Sequence, residues 1–370
     1  MPSTWRAYLY KGGVMSFVHN SWYVGAWRHE LGSQPLARRI LDLPVVFFRR
    51  ADGSPAALVD RCPHRLLPLS RGTVVGDVLQ CGYHGMCFNG SGECTRVPAQ
   101  SRIPSDARVR SFPVIEHWGM VWIWMGDPAL ADPTRLFRGL PWGEPGWTLN
   151  LGPYTHVKAD YRLLVENLLD PVHVTYVHQS TLGTAAMGDI PIDTTQDGDT
   201  ILVTRWTRNS PAAPILQRFG RWPGNVDRWQ YYWWHAPSIN VVDFGAHEVG
   251  SGESEAARQA GIRMYSNHFL TPETETTTHY FWCQLRNFAP DDEAVSREIT
   301  EQFVMAFDED KSILEAVQQA SAEPLITRPV QLGIDAGAVR MHRTLDRLID
   351  AESGDQGSPE LARNRPGAAH

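Results

Sequence analysis

Lysine is all but missing from this 370-residue chain: Lys11, Lys158 and Lys311 are the only three, and arginine carries the remaining positive side-chain charge. No Lys/Arg-rich run occurs, the formal net charge is -7 and the pI is near 6.1, so a nucleic-acid backbone is a poor partner. Long apolar runs are missing as well. The nearest candidate, Met120–Met125, is strand-length and far short of the roughly 20 residues that cross a bilayer. The first twenty residues hold no apolar signal core, which points to a cytoplasmic protein. Five cysteines, an odd number in so long a chain, exclude a disulfide framework and leave metal binding as the better use for some of them. No G-x-G-x-x-G turn is found, so the chain has no recognisable means of taking electrons from NAD(P)H itself.

What is present suits a soluble protein of two domains, with 42% hydrophobic and 20% charged residues. Residues 1–16 read as an N-terminal extension, with a second methionine, Met15, directly before the patterned sequence. Residues 17–145 read as an all-β domain of short strands (Val45–Arg49, Ala56–Asp60, Val78–Gln80, Met120–Met125), with turns at Asp52-Gly53 and Asn89-Gly90. The proline- and glycine-rich stretch Asp127–Pro145 is the domain connection.

Residues 146–350 then read as an α+β domain. A helical patch covers Tyr161–Val177, and strands are expected at Ile201–Trp206, Trp229–Trp234, Ile239–Phe244 and Thr277–Gln284. Helices follow at Ser296–Gln319 and Ala336–Ile349. Residues 351–370 are polar and contain Pro and Gly, the composition of a disordered tail.

Two short segments, Cys62-Pro-His64 and Cys81-Gly-Tyr-His84, each pair one thiolate with one imidazole, with sixteen residues between His64 and Cys81. A Rieske [2Fe-2S] centre needs this arrangement: two cysteines hold one iron, and two histidines hold the other. Gly82 and Gly85 let backbone N–H groups approach the cluster sulfurs. A structural zinc site is the competing reading, but zinc fingers order their ligands as a cysteine pair followed by a histidine pair. Cys87 and Cys94 read as ordinary thiols.

A Rieske cluster passes single electrons, so the second domain should hold their destination. The segment Glu166–His178 concentrates Asn167, Asp170, His173 and His178, and a carboxylate pair, Glu309 and Asp310, sits in a later amphipathic run. Two histidines and one carboxylate make the facial triad of non-haem iron, which keeps positions open for O2. On an unbroken helix, residues five apart point about 140° away from each other, so His173 and His178 share a metal only through a local break. Asp170-Pro171 is where such a break fits. Without a metal, the same residues would simply cap a helix.

These residues together resemble the Rieske non-haem iron oxygenases, within the group of vanillate O-demethylase, dicamba demethylase and toluenesulfonate methyl-monooxygenase. The likeness runs from about Ser21 to Ile349. It includes Cys62-Pro-His64-Arg65, Cys81-Gly-Tyr-His84-Gly85, Asn167-Leu-Leu-Asp170 with His173 and His178, Asp227-Arg-Trp229, and Glu309-Asp310 ahead of Leu314-Glu315.

The resemblance implies that Cys62, His64, Cys81 and His84 bind the cluster and that His173, His178 and Asp310 bind mononuclear Fe(II). Asp310 is preferred over Asp308 and Glu309 for its distance from the Leu-Glu pair. Asp170 would link His173 to a neighbouring chain's cluster histidine (its His84) within a head-to-tail homotrimer, and Asn167 would lie beside the iron. It further implies O2 as cosubstrate, NAD(P)H acting only through a separate reductase or ferredoxin, and a small aromatic acid as substrate, most simply a methoxylated one that is O-demethylated. Methyl or ring hydroxylation is the alternative, and a bare electron carrier is the alternative of another class. His268 and Asn240 are the substrate-pocket candidates by family position, while the Trp229–Trp234 run reads as core. Leu66-Leu67 and Met86 depart from the commoner residues flanking the cluster turns.

Overall fold

A computed structural model describes residues 16–178, 188–323 and 330–354. Nearly all of the expected N-terminal extension, and the tail from residue 355 onward, lie outside the described residues. The fold is α+β, with an all-β N-terminal part followed by a large antiparallel sheet dressed with helices.

The N-terminal part holds three small sheets. The first runs β2 (Leu36–Ile40), β3 (Leu43–Arg49), β4 (Pro55–Val59), β9 (Ser111–Phe112). The second runs β5 (Thr73–Val75), β6 (Val78–Gln80), β7 (Cys87–Asn89), β8 (Cys94–Arg96). The third runs β1 (Trp22–Trp27), β11 (Met120–Trp124), β10 (Val114–His117). The Asp52-Gly53 turn joins β3 to β4, and the turn that begins at Asn89-Gly90 joins β7 to β8.

Strand β11 is apolar at every position because both of its faces are buried. Val121 and Ile123 pack into the main core, while Met120, Trp122 and Trp124 face the large sheet of the second domain. There Trp122 meets Phe269 edge-on at 5.5 Å, and Trp27 meets Phe281 at 5.7 Å.

The large sheet has eight strands, all paired antiparallel. They are β12 (Thr148–Leu151), β13 (Thr155–Val157), β14 (Asp193–Asp197), β15 (Thr200–Ser210), β16 (Val226–His235), β17 (Ile239–Glu248), β18 (Ile262–Thr274) and β19 (Thr277–Arg286). From β14 to β19 each strand pairs with the next in sequence, and β12 and β13 both add to β19. One face packs on the N-terminal sheets. The other lies under α1 (Tyr161–Leu169), α3 (Pro214–Gly220), α5 (Glu293–Ser321) and α6 (Ala336–Gly354).

Two departures from the sequence reading, and one break that it placed, have physical causes. Strand β18 was not expected, because buried polar residues, Ser266, Asn267 and His268, interrupt its apolar alternation. The helical patch ends at Leu169 and resumes as a short α2 (His173–Val177), because Asp170 precedes a proline and takes an extended conformation. Finally, α6 runs to Gly354, four residues into the expected tail. The Glu352 carboxylate there accepts the backbone N–H groups of His19 and Asn20, both at 2.8 Å, and so ties the end of the helix to the start of the described chain.

Candidate metal centres and cavity

The two cysteine-histidine turns have matching frames. In the first, Cys62 N–H donates to the Leu67 carbonyl and Leu66 N–H to the Cys62 carbonyl, each at 2.9 Å. In the second, Cys81 N–H donates to the Met86 carbonyl at 2.8 Å and Gly85 N–H to the Cys81 carbonyl at 3.0 Å. The fourth residue after each cysteine, Leu66 or Gly85, is left-handed, with φ of 60° and 70°. Glycine adopts that conformation without strain, whereas the exposed Leu66 occupies a region that costs an ordinary side chain about 1 kcal/mol or more. A Cβ on Gly82 would stand 2.6 Å from the Arg71 carbonyl oxygen, so close packing of the second turn also demands glycine there.

Between the turns, Cys62 and Cys81 are buried and their thiols neighbour one another, while His64 and His84 are exposed with ring centroids 4.5 Å apart. Two inner sulfurs and two outer imidazoles are the donor set that a two-iron, two-sulfide cluster takes.

The second constellation is assembled by the break after α1. Asp170 sits at the C-terminal end of α1, and its carboxylate accepts the N–H groups of Val172 (2.7 Å) and His173 (3.2 Å), which starts α2. That one-turn helix ends at Val177, with His178 the first residue beyond it. Both imidazoles turn toward α5: His173 Nε2 lies 3.6 Å and His178 Nε2 3.2 Å from Asp310 Oδ1. Ligand atoms of the three residues all fall within 4.8 Å of one another, a spacing that fits one divalent ion.

The rings are held from behind. His173 Nδ1 donates to the Asp170 carbonyl, whereas the nearest Asp170 carboxylate oxygen is 3.8 Å away. The Asp170 backbone, rather than its side chain, therefore orients that ring within the chain. His178 Nδ1 meets the Glu309 carboxylate at 2.8 Å, and Asn167 Nδ2 donates to Asp310 Oδ1 at 3.1 Å. Burial depresses the His173 pKa against the pull of Asp310 and Asp170. Burial opposes charge on His178 too, but the carboxylates of Asp310 and Glu309 outweigh it and its pKa is raised. The motif spacing singled out Asp310 as the ligand, but nothing in the sequence alone shows that its neighbour Glu309 steadies His178.

The triad opens onto a cavity between the helices and the sheet face that they cover. Its walls are mainly apolar, with Val242, Phe244, Phe303 and Phe307 among them, and its polar lining includes Arg228, Gln230, Tyr232, Ser266 and His268. His268 Nδ1 is bonded to the Tyr280 hydroxyl at 2.6 Å, its Nε2 has no partner among the described residues, and burial lowers its pKa to about 3. Asn240 pairs with His268 across the strands, but it is fully buried and is not part of the cavity wall. Within the Trp229–Trp234 run, Gln230 and Tyr232 face the cavity while the tryptophans do not line it.

Two family models match the chain: a Rieske [2Fe-2S] domain over residues 21–113 and a vanillate O-demethylase oxygenase C-terminal domain over residues 157–351. A putative toluene-4-sulfonate monooxygenase system iron-sulfur subunit from Comamonas testosteroni is 42% identical, over 91% of this chain and 98% of that protein. The dicamba O-demethylase oxygenase component of Stenotrophomonas maltophilia is 37% identical, over 92% and 100%. A crystal structure of dicamba monooxygenase bound to dicamba superposes with a TM-score of 0.84 at 36% identity, covering 91% of this chain and 99% of that one.

Proposed function

Since the chain belongs to the Rieske oxygenases with a vanillate O-demethylase-type catalytic domain, and is the oxygenase component of a multicomponent monooxygenase, we propose that its reaction is the O-demethylation of a methoxylated aromatic acid. In that reaction one atom of O2 enters the methyl group, and the resulting hemiacetal collapses to a phenol and formaldehyde. The other oxygen atom leaves as water, with two electrons and two protons consumed. The electrons come from a separate reductase or ferredoxin, as the multicomponent relatives imply. No helix among the described residues is long and apolar enough to cross a membrane, and five cysteines with no disulfide among them suit a reducing cytoplasm.

In this reading Cys62, His64, Cys81 and His84 hold the cluster, and His173, His178 and Asp310 hold a mononuclear iron whose contribution is to activate dioxygen. The observation that carries it is the convergence of both imidazole Nε2 atoms on Asp310 at the wall of a largely apolar cavity. The Asp170 carbonyl and the Glu309 carboxylate keep each Nδ1 occupied, so the Nε2 lone pairs point inward. Asn167 holds the Asp310 carboxylate in register. The cavity orients the ring and limits water.

Incubating the holoenzyme with a surrogate reductase and a panel of methoxybenzoates should release formaldehyde and the phenol in equal amounts. Hydroxylated product from other aromatic acids, with no formaldehyde from any ether, would assign methyl or ring hydroxylation instead. Replacing Glu309 with glutamine should weaken iron binding at the triad by about tenfold to a hundredfold, read as residual iron after graded chelation. Unchanged retention would show that Glu309 does not steady His178.

The reading includes a head-to-tail homotrimer. The cluster tip exposes Leu66 (68%) and Tyr83 (63%), and the surface beside α2 exposes Tyr176 (66%) and Met305 (53%). Two such patches on one chain suit a heterologous ring in which one copy's cluster meets the next copy's α2. Light scattering of the holoenzyme should give the mass of three chains; a monomer would rule the ring out.

A further inference from the structure

Among the described residues that line the cavity, the one permanently charged side chain outside the triad is a cation, Arg228 on β16. It is 5% exposed. Its neighbour on β15, Arg205, is 1% exposed and is engaged below the cavity wall, where Nε and Nη2 donate to Gln230 Oε1 at 2.8 and 2.6 Å. Gln230 Nε2 in turn donates to the Tyr232 hydroxyl at 2.8 Å. Arg205 thereby fixes two cavity residues while adding a second positive charge beside the first. Burial, and then repulsion from Arg205, lower the Arg228 pKa to about 10, which still leaves it charged near neutrality. Asp170 lies in the electrostatic surroundings of Arg205, so the cation that faces the cavity is Arg228. A guanidinium presents paired donors that match the two oxygens of a carboxylate or sulfonate.

The sheet register gives the direction. Arg228 pairs with Ala246, whereas His268, whose electrostatic surroundings include Asp310, pairs with Asn240, six positions nearer the start of β17. The cation and the triad therefore lie toward different ends of one cavity, with apolar side chains such as Val242 and Phe244 between them.

We propose that Arg228 is the specificity-determining residue of this cavity, binding the acid group of an aromatic anion so that the ring lies along the apolar wall and the carbon to be oxidised, on the far side of the ring, reaches the triad. This rests on the cavity being the substrate site, and it adds that the substrate must be an anion with its charge remote from the reacting carbon. Arg228 Nη1 also reaches the Pro211 carbonyl at 3.5 Å, a tether that by itself would make no distinction between an acid and its ester.

The test is calorimetric titration of the anaerobic holoenzyme with 4-methoxybenzoate and with its methyl ester, for the wild type, Arg228→Met and Arg228→Lys. The wild type should bind the acid more tightly than the ester. Arg228→Met should lose about a hundredfold in affinity for the acid, the scale for removing a buried charged partner, with the ester changed by less than about twofold. Arg228→Lys should recover part of the loss. In turnover, the defect of Arg228→Met should fall on KM for the acid more than on kcat. The cluster spectrum and unfolding midpoint serve as checks that the variants fold.

Equal weakening of acid and ester, or no weakening of the acid, would overturn the inference while leaving demethylation intact, since the wild type would still release formaldehyde. A wild type that demethylates the ester but does not bind the acid would overturn it as well. A wild type that binds the acid through Arg228 yet releases no formaldehyde would uphold the inference and sink the demethylase reading instead.

Discussion

Replacing Asp310 with alanine is expected to empty the mononuclear site and leave the cluster in place. Iron should fall from about three to about two per chain, the visible spectrum should keep its Rieske shape, and formaldehyde release should drop to background. The reason is charge as much as geometry. His173 and His178 each have Nδ1 occupied and offer neutral Nε2 atoms, so Asp310 supplies the only anionic ligand of the three. It is also the atom on which both rings converge, at 3.6 and 3.2 Å. Without it, a divalent ion in a mostly buried pocket would face two uncharged ligands and no compensating charge. Glu309 cannot substitute, because its carboxylate faces the opposite nitrogen of His178. Iron content by mass spectrometry decides the matter, and an Asp310→Ala protein that keeps its third iron would overturn the assignment of the triad.

The second large effect concerns stability. Acidification from neutral pH toward pH 4 is expected to unfold the chain through histidines that the fold buries uncharged. Burial lowers His19 and His279 to about 4 and His268 to about 3. His279 receives the Tyr154 hydroxyl proton at Nδ1 (2.7 Å) and donates from Nε2 to the Arg39 carbonyl at 2.8 Å, an arrangement suited to the neutral ring.

In the unfolded chain each of these groups takes up a proton near pH 6.5, well before the folded form does. The unfolded state therefore binds more protons in the window from about 6.5 down to 4, and stability must fall as pH falls through it. Each group contributes on the order of 3 kcal/mol by pH 4, so the three together approach the whole stability of an ordinary domain. His178, whose pKa is raised, works in the opposite direction. Unfolding midpoints followed by tryptophan fluorescence should decline steadily below pH 6.5, and His279→Gln should flatten the slope. A midpoint flat down to pH 4.5 would show that these histidines are not buried in the neutral form.

Much of this could be read before any coordinates. The cysteine-histidine turns were legible because local spacing is itself their chemistry, and the break at Asp170-Pro171 because proline restricts the residue before it. Strands such as Val78–Gln80 and the long helix through Asp310 followed from periodicity. Strand β18 was hidden because Ser266, Asn267 and His268 are polar residues buried for what they touch, and periodicity counts them as solvent-facing. Glu309 and Arg228 were hidden for a related reason. Both work through residues distant in sequence, His178 in one case and the cavity wall opposite α5 in the other, and no local pattern records such a partnership.

Strand β11, with tryptophans on one side and aliphatic residues on the other, belongs to two cores at once. Neither half of the molecule is then a removable module: cutting the chain between them would lay Trp122 and Trp124 open to water and strip Phe269 and Phe281 of their cover. The electron-carrying part and the oxygen-handling part should melt in a single transition, so the span from one metal centre to the other within a chain is rigid rather than hinged.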